Sequence, residues 1–209
     1  MRDIPVIYED NWLYIVEKPS GFLTIPDPKK KHLSLTEILN QRLKDNNVAW
    51  RLHPCHRLDR DTSGLLIYAK GKSIQKKMMD AFKARAVKKT YTAFTQGKIS
   101  NDHGRIGHPI DGEPALTEYR VLERRADFSI VEVRPLTGRK NQIRIHFKRI
   151  GHPIVGEDRF AFRKDFSLRF KRLCLHAQGL EFKHPFTGQN IAIKAPLPRD
   201  LSEFLKTHP

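Results

Sequence analysis

At 209 residues the chain is long enough to bury one sizeable core, or two small lobes, without disulfide support. Thirty-nine Lys and Arg against 23 Asp and Glu leave a formal charge of +16, with basic residues spread through 29–31, 70–89, 139–149 and 163–172, so the expected partner is a polyanion, and nucleic acid first among these. The composition excludes a helical membrane span, since no apolar run approaches ~20 residues, and it excludes a disulfide framework, since Cys55 and Cys174 are the only cysteines.

Residues 6–8 and 12–16 read as short strands joined by the Glu9-Asp10-Asn11 turn, and Glu17-Lys18-Pro19-Ser20-Gly21 breaks the pattern as a Pro-Gly turn. Residues 26–31 make a basic polar loop, suited to solvent or to a phosphate. Ser34-Leu35-Thr36-Glu37 has capping-box spacing, and Leu35, Ile38, Leu39 and Leu43 share one face, which predicts a helix to about Asp45. The stretch His56-Arg57-Leu58-Asp59-Arg60-Asp61-Thr62-Ser63-Gly64 then concentrates charge directly before the apolar run of residues 65–69, a buried strand. Asp59 stands between Arg57 and Arg60, and a nearby cation favours the ionised carboxylate that a nucleophilic or basic Asp requires. The same residues also fit a solvated ion-pair cluster on a loop.

Further on, Ile74, Met78 and Phe82 recur every four residues among Lys72, Lys76, Lys77 and Lys83, which predicts a helix with a buried stripe. Residues 88–94 are strand-like, and Tyr91 within them is either a core side chain or a stacking platform for a base. Strands are expected near 105–110, 115–122 and 129–134, the last two forming a hairpin across Ala126-Asp127-Phe128. Residues 135–147 begin as a turn and continue as a helix with Ile143, Phe147 and Ile150 on one side and Gly151 as its stop. Residues 160–170 alternate aromatic and basic types, a pattern that serves single-stranded RNA or amphipathic packing. Two strands at 173–177 and 180–183 and a short helix at 199–206 complete the chain. Many strands at short spacing with few helices argue for an α+β fold around a mixed, mainly antiparallel sheet with flanking helices, and the lack of a linker or repeat argues for a single domain over 1–209.

The chain resembles the RluA family of RNA pseudouridine synthases. The resemblance rests on H-R-L-D-R-D-T-S-G at 56–64, V-E-K-P-S-G at 16–21, K-x-Y-x-A at 89–93 and L-T-G-R-K-N-Q-I-R-I-H at 136–146, and it extends from about Trp12 to Leu197. It implies the pseudouridine synthase fold with a central active-site cleft. It also implies that Asp59 is the catalytic nucleophile, that Tyr91 stacks on the target base and that Arg144 pairs with the catalytic carboxylate. Arg57 then occupies the gap left by a flipped nucleotide or holds a phosphate, and Arg60 and Arg139 join it as RNA-binding residues. The sequence departs from the family at Asn141, where the usual residue is His, so a role that needs a titrating imidazole there is not available. Family members often carry an additional small N-terminal RNA-binding domain; with the first strand near residue 6, the expectation here is the short form.

The expected function is isomerisation of a specific uridine in a structured rRNA or tRNA stem-loop, with Asp59 either attacking the sugar or assisting loss of the base. The alternative is a non-catalytic RNA-binding or ribosome-assembly protein of the same fold. No cofactor is expected, because no dinucleotide fingerprint or phosphate loop is present. No metal is expected either, because Cys55 with His53 and His56, and Cys174 with His176, lack the ligand spacing of structural zinc. Neither a membrane nor an obligate protein partner is called for, and the absence of a secretory signal in Met1 to Pro5 points to the cytoplasm.

Overall fold

The computed structural model describes residues 4–27, 33–161 and 168–209; most of the basic loop expected at 26–31 and the centre of the aromatic and basic stretch, 162–167, lie outside the described residues. The fold is α+β, with a mixed, mainly antiparallel sheet and four helices among the described residues. The chain divides into two compact units, one made of residues 1–87 and 179–195, the other of residues 88–178 and 196–209.

In the first unit, strands β1 (Val6–Glu9) and β2 (Leu13–Lys18) pair antiparallel, and β2 pairs in turn with β4 (Ser63–Ala69). Every residue of β4 is buried, as its unbroken apolar run requires. A two-residue strand, β3 (His53–Pro54), adds to the end of β4. Helix α1 (Leu35–Asp45) starts where the capping box places it. The Ser34 hydroxyl accepts from the Glu37 N–H, and the Glu37 carboxylate accepts from the Ser34 N–H at 2.7 Å. Helix α2 (Lys72–Lys83) packs Met78, with Ile74 and Phe82 beside it, on Leu13, Ile15, Leu65 and Ile67.

In the second unit, β5 (Lys88–Gln96), β8 (Phe128–Pro135), β7 (Thr117–Arg124) and β6 (His103–Ile106) pair antiparallel in that spatial order. The expected β7–β8 hairpin is present, whereas β6 stops at Ile106, short of the expected 110. Beyond it Ile110 and Glu113 exchange backbone bonds across Asp111 and Gly112, both at positive φ, so the chain turns tightly instead of extending. Helix α3 is Gln142–Arg149, and α4 (Arg199–Thr207) sets Phe204 against Phe94 and Phe128 at 5.8 and 5.4 Å between ring centroids.

The two strands expected at 173–183 are one strand, β9 (Leu175–Lys183), because Gln178 and Gly179 continue the extended path instead of turning. Its second half pairs with β10 (Asn190–Lys194), a strand not anticipated from the sequence.

Candidate active site

Asp59 lies half-buried on the loop between β3 and β4, flanked by exposed Arg57 and Arg60 and by buried Leu58. What fixes this loop is the segment that follows β2. The Thr24 hydroxyl donates to the Leu58 carbonyl at 3.0 Å and accepts from the Leu58 N–H at 3.2 Å, so one buried side chain satisfies both polar groups of the residue before Asp59. On the other side, the Arg60 carbonyl accepts from the Gly21 N–H at 2.9 Å and from the Lys18 ammonium at 3.0 Å. Ser20 donates to the Asp61 carbonyl at 2.7 Å, and the Thr62 N–H closes the turn on the Asp59 carbonyl at 3.2 Å. The backbone of residues 58, 60 and 61 is thus tied down around Asp59.

Lys18 is completely buried. Its ammonium also donates to the carbonyls of Pro19 and Phe22, at 3.1 and 2.8 Å, and these bonds make a buried cation tolerable. The V-E-K-P-S-G turn is therefore a cradle for the Asp59 loop. His56 has an equally local task, since its Nε2 accepts the Ile67 N–H at 3.0 Å while its ring lies 4.8 Å from that of Phe82.

The other expected residues belong to the second unit. Tyr91 is a buried residue of β5 paired with Val133. Arg144, on α3, is 3% exposed and carries a partner that sequence reasoning missed. Its Nε and Nη2 donate to the two carboxylate oxygens of Glu157 at 2.7 and 2.5 Å. Burial pushes the Glu157 carboxyl upward, but the bonds from Arg144 and from the backbone N–H groups of Arg159 and Phe160 outweigh it and hold the carboxyl below its ordinary range. Gly156, just before it, has φ +78°, and a Cβ there would overlap the Arg172 carbonyl.

Asn141 sits at the head of α3 with φ 54°, a left-handed conformation that Asn adopts more readily than most residues. Its Oδ1 is 3.5 Å from Nη1 of Arg144. Arg139 is turned toward its own unit, donating to the Pro114 carbonyl at 3.1 Å and pairing with Glu113 at 3.2 Å. A polar chain links this loop to α3. His146 Nε2 must donate to the His108 carbonyl at 2.9 Å, so its Nδ1 accepts from the Thr117 hydroxyl, which itself accepts from Gln142. Burial lowers the His146 pKa and so favours this neutral form.

Arg57, Asp59 and Arg60 therefore share one loop of the first unit, and Tyr91, Arg139 and Arg144 belong to the second. Thr24, Lys18 and Glu157 are additions from the structure. Lys18 lies in a motif already singled out, and Glu157 lies in residues 151–159, which resemble a structural turn of the same family, whereas nothing in the residue pattern marks Thr24. Among the described residues no group of three His, Cys, Asp or Glu side chains is arranged to hold a metal. Burial pushes the Cys55 thiol up to about 12 and the Cys174 thiol higher still, which makes both poor nucleophiles.

Comparison with known proteins identifies the family. Residues 12–149 match the family described as RNA pseudouridylate synthase. An uncharacterised RNA pseudouridine synthase of Bacillus subtilis, YlyB, is 36% identical over 98% of this chain and 72% of its own length. The dual-specificity RNA pseudouridine synthase RluA of Haemophilus influenzae is 33% identical over 92% of each chain. Among solved structures, human RNA pseudouridylate synthase domain containing 4 shares the fold with a TM-score of 0.81, at 24% identity over 96% of this chain and 91% of that one. With the family match spanning the Asp59 loop, the Tyr91 strand and helix α3, this chain belongs to the RNA pseudouridine synthases, the isomerases that convert uridine in RNA to pseudouridine.

Proposed function

We propose that Asp59 is the catalytic nucleophile and that it works with Arg144 and Tyr91 on a uridine in a structured rRNA or tRNA stem-loop, the protein acting in the cytoplasm as a single catalytic domain over residues 1–209. The observation that carries this reading is the set of hydrogen bonds from Lys18, Ser20, Gly21 and Thr24 to residues 58, 60 and 61. A loop carrying four charged side chains, Arg57, Asp59, Arg60 and Asp61, is held by its backbone on both sides of Asp59, more than burial of Leu58 alone requires. Preorganisation of the reacting group supplies a reason.

The reaction breaks the N1–C1′ bond, turns the uracil, forms the C5–C1′ bond and moves a proton from C5 to solvent while N1 gains one. In this scheme Asp59 assists cleavage, Arg144 keeps the carboxylate ionised and aimed, and Tyr91 stacks on the detached uracil. Arg57 and Arg60, both exposed on the Asp59 loop, contact the RNA backbone and offset the cost of extruding the nucleotide. Arg139 contributes to RNA binding through the loop it braces.

The test is to incubate the purified protein with cellular RNA from a strain lacking its gene and to map pseudouridine. Restoration of a discrete site, lost again with Asp59→Asn, is expected and names the RNA. RNA binding without any new pseudouridine would instead favour a non-catalytic role in RNA binding or ribosome assembly.

A further inference from the structure

Arg144 does more than carry a charge, because its charge is already matched. The Nε and Nη2 nitrogens form a two-point fork onto Glu157, whose side chain has no exposed surface. Near the guanidinium there are also Asn141 Oδ1 at 3.5 Å from Nη1, Asp158 Oδ1 at 3.6 Å from Nη2 and the Phe160 ring at 5.1 Å from Cζ. Glu157 is itself immobilised. Its Oε1 accepts from the backbone N–H groups of Arg159 and Phe160 at 2.9 and 3.2 Å, and its own N–H donates to the Ile154 carbonyl at 3.0 Å.

A buried ion pair is a poor source of stability, since an apolar pair of similar volume often serves a fold as well or better. What such a pair does supply is direction. A planar guanidinium gripped along one edge presents its other edge at a fixed angle. We propose that Glu157 is a positioning residue for the isomerisation, acting through Arg144, whose catalytic role is the one proposed above.

The test uses the full chain and an RNA substrate, with kcat and KM measured per folded molecule. Glu157→Asp retains the charge but withdraws the carboxylate by one methylene. It should lower kcat by about 10- to 100-fold, the scale of a misplacement near 1 Å, with KM for RNA within about twofold. Glu157→Gln keeps the length of the side chain but removes its charge and one acceptor of the two-point fork; it should lower kcat by about 3- to 10-fold, again at constant KM. Should Glu157→Asp fail to fold, Glu157→Gln decides the matter, and a parental kcat in that variant overturns the proposal. A parental kcat in folded Glu157→Asp overturns it too, as does a loss that appears only in KM. Arg144→Ala separates the two levels: if it is inactive while Glu157→Asp is parental, only the role of Glu157 falls. A parental Arg144→Ala removes both.

Discussion

Replacing Thr24 by Val is the most direct probe of how the Asp59 loop is held. The substitution keeps the shape of the side chain and deletes one hydroxyl, and with it both bonds to Leu58. Thr24 and Leu58 are 3% and 4% exposed, so water cannot take the hydroxyl's place. Each buried group left without a partner costs about 1–3 kcal/mol, which gives about 2–6 kcal/mol for the Leu58 N–H and carbonyl together. For a chain of this size, at about 2–4 °C per kcal/mol, that corresponds to a fall in Tm of about 4–24 °C. The loss of rate should be separate from the loss of stability. With Leu58 released, Asp59 shifts on the scale of 1 Å, and kcat should drop about 100-fold well below the melting transition. Thr24→Ser keeps the hydroxyl and should recover most of both properties. Calorimetry and single-turnover pseudouridine formation at 25 °C provide the measurements. A Val variant that melts within a degree or two of the parent and turns over at the parental rate would refute the reasoning.

Asp59→Asn preserves size and hydrogen bonding, so RNA binding should persist in a gel-shift assay while pseudouridine formation disappears. Tyr91→Phe should retain more activity than Tyr91→Ala if the ring outweighs the hydroxyl, as single-turnover rates will show. His146 has a folded pKa below its usual 6.5, so it adds stability above that pH that is lost as pH falls toward the folded value; His53 acts in the same sense. Urea midpoints at pH 7.5 and 5.5 should show this decline, and His146→Gln should flatten it. RNA affinity should fall steeply from 50 to 200 mM salt, as the +16 charge requires, and a nearly flat dependence in filter binding would contradict a phosphate-tracking surface.

The residues that were readable in the sequence act through their neighbours in the chain. Ser34 and Glu37 announce α1 because a capping box is complete within four residues, and Met78 announces α2 because a helical stripe repeats every turn. β3 has only two residues, one of them Pro, so no periodicity exists to detect. β10 alternates correctly over Asn190–Lys194 but is too short to separate from a loop. At the site, the charge density around Asp59 was visible, while the bonds that hold it were not. Thr24 meets Leu58 across 34 positions, and a lone threonine after a turn looks like any other. Arg144 was legible as a functional arginine, but its carboxylate comes from a separate turn 13 residues later, and no charge pattern local to either residue pairs the two.

Gly156 shows how little freedom evolution or an engineer has next to that carboxylate. Any side chain at this position would both adopt an unfavourable φ of +78° and collide with the Arg172 carbonyl, and backbone cannot rotate aside as a flexible side chain can. A saturation library at position 156 should therefore return glycine alone under selection for activity, even though the residue is remote in sequence from Arg57, Asp59 and Arg60. The position acts as a fixed coordinate in the gene, one from which Glu157 always leaves the turn in the same direction.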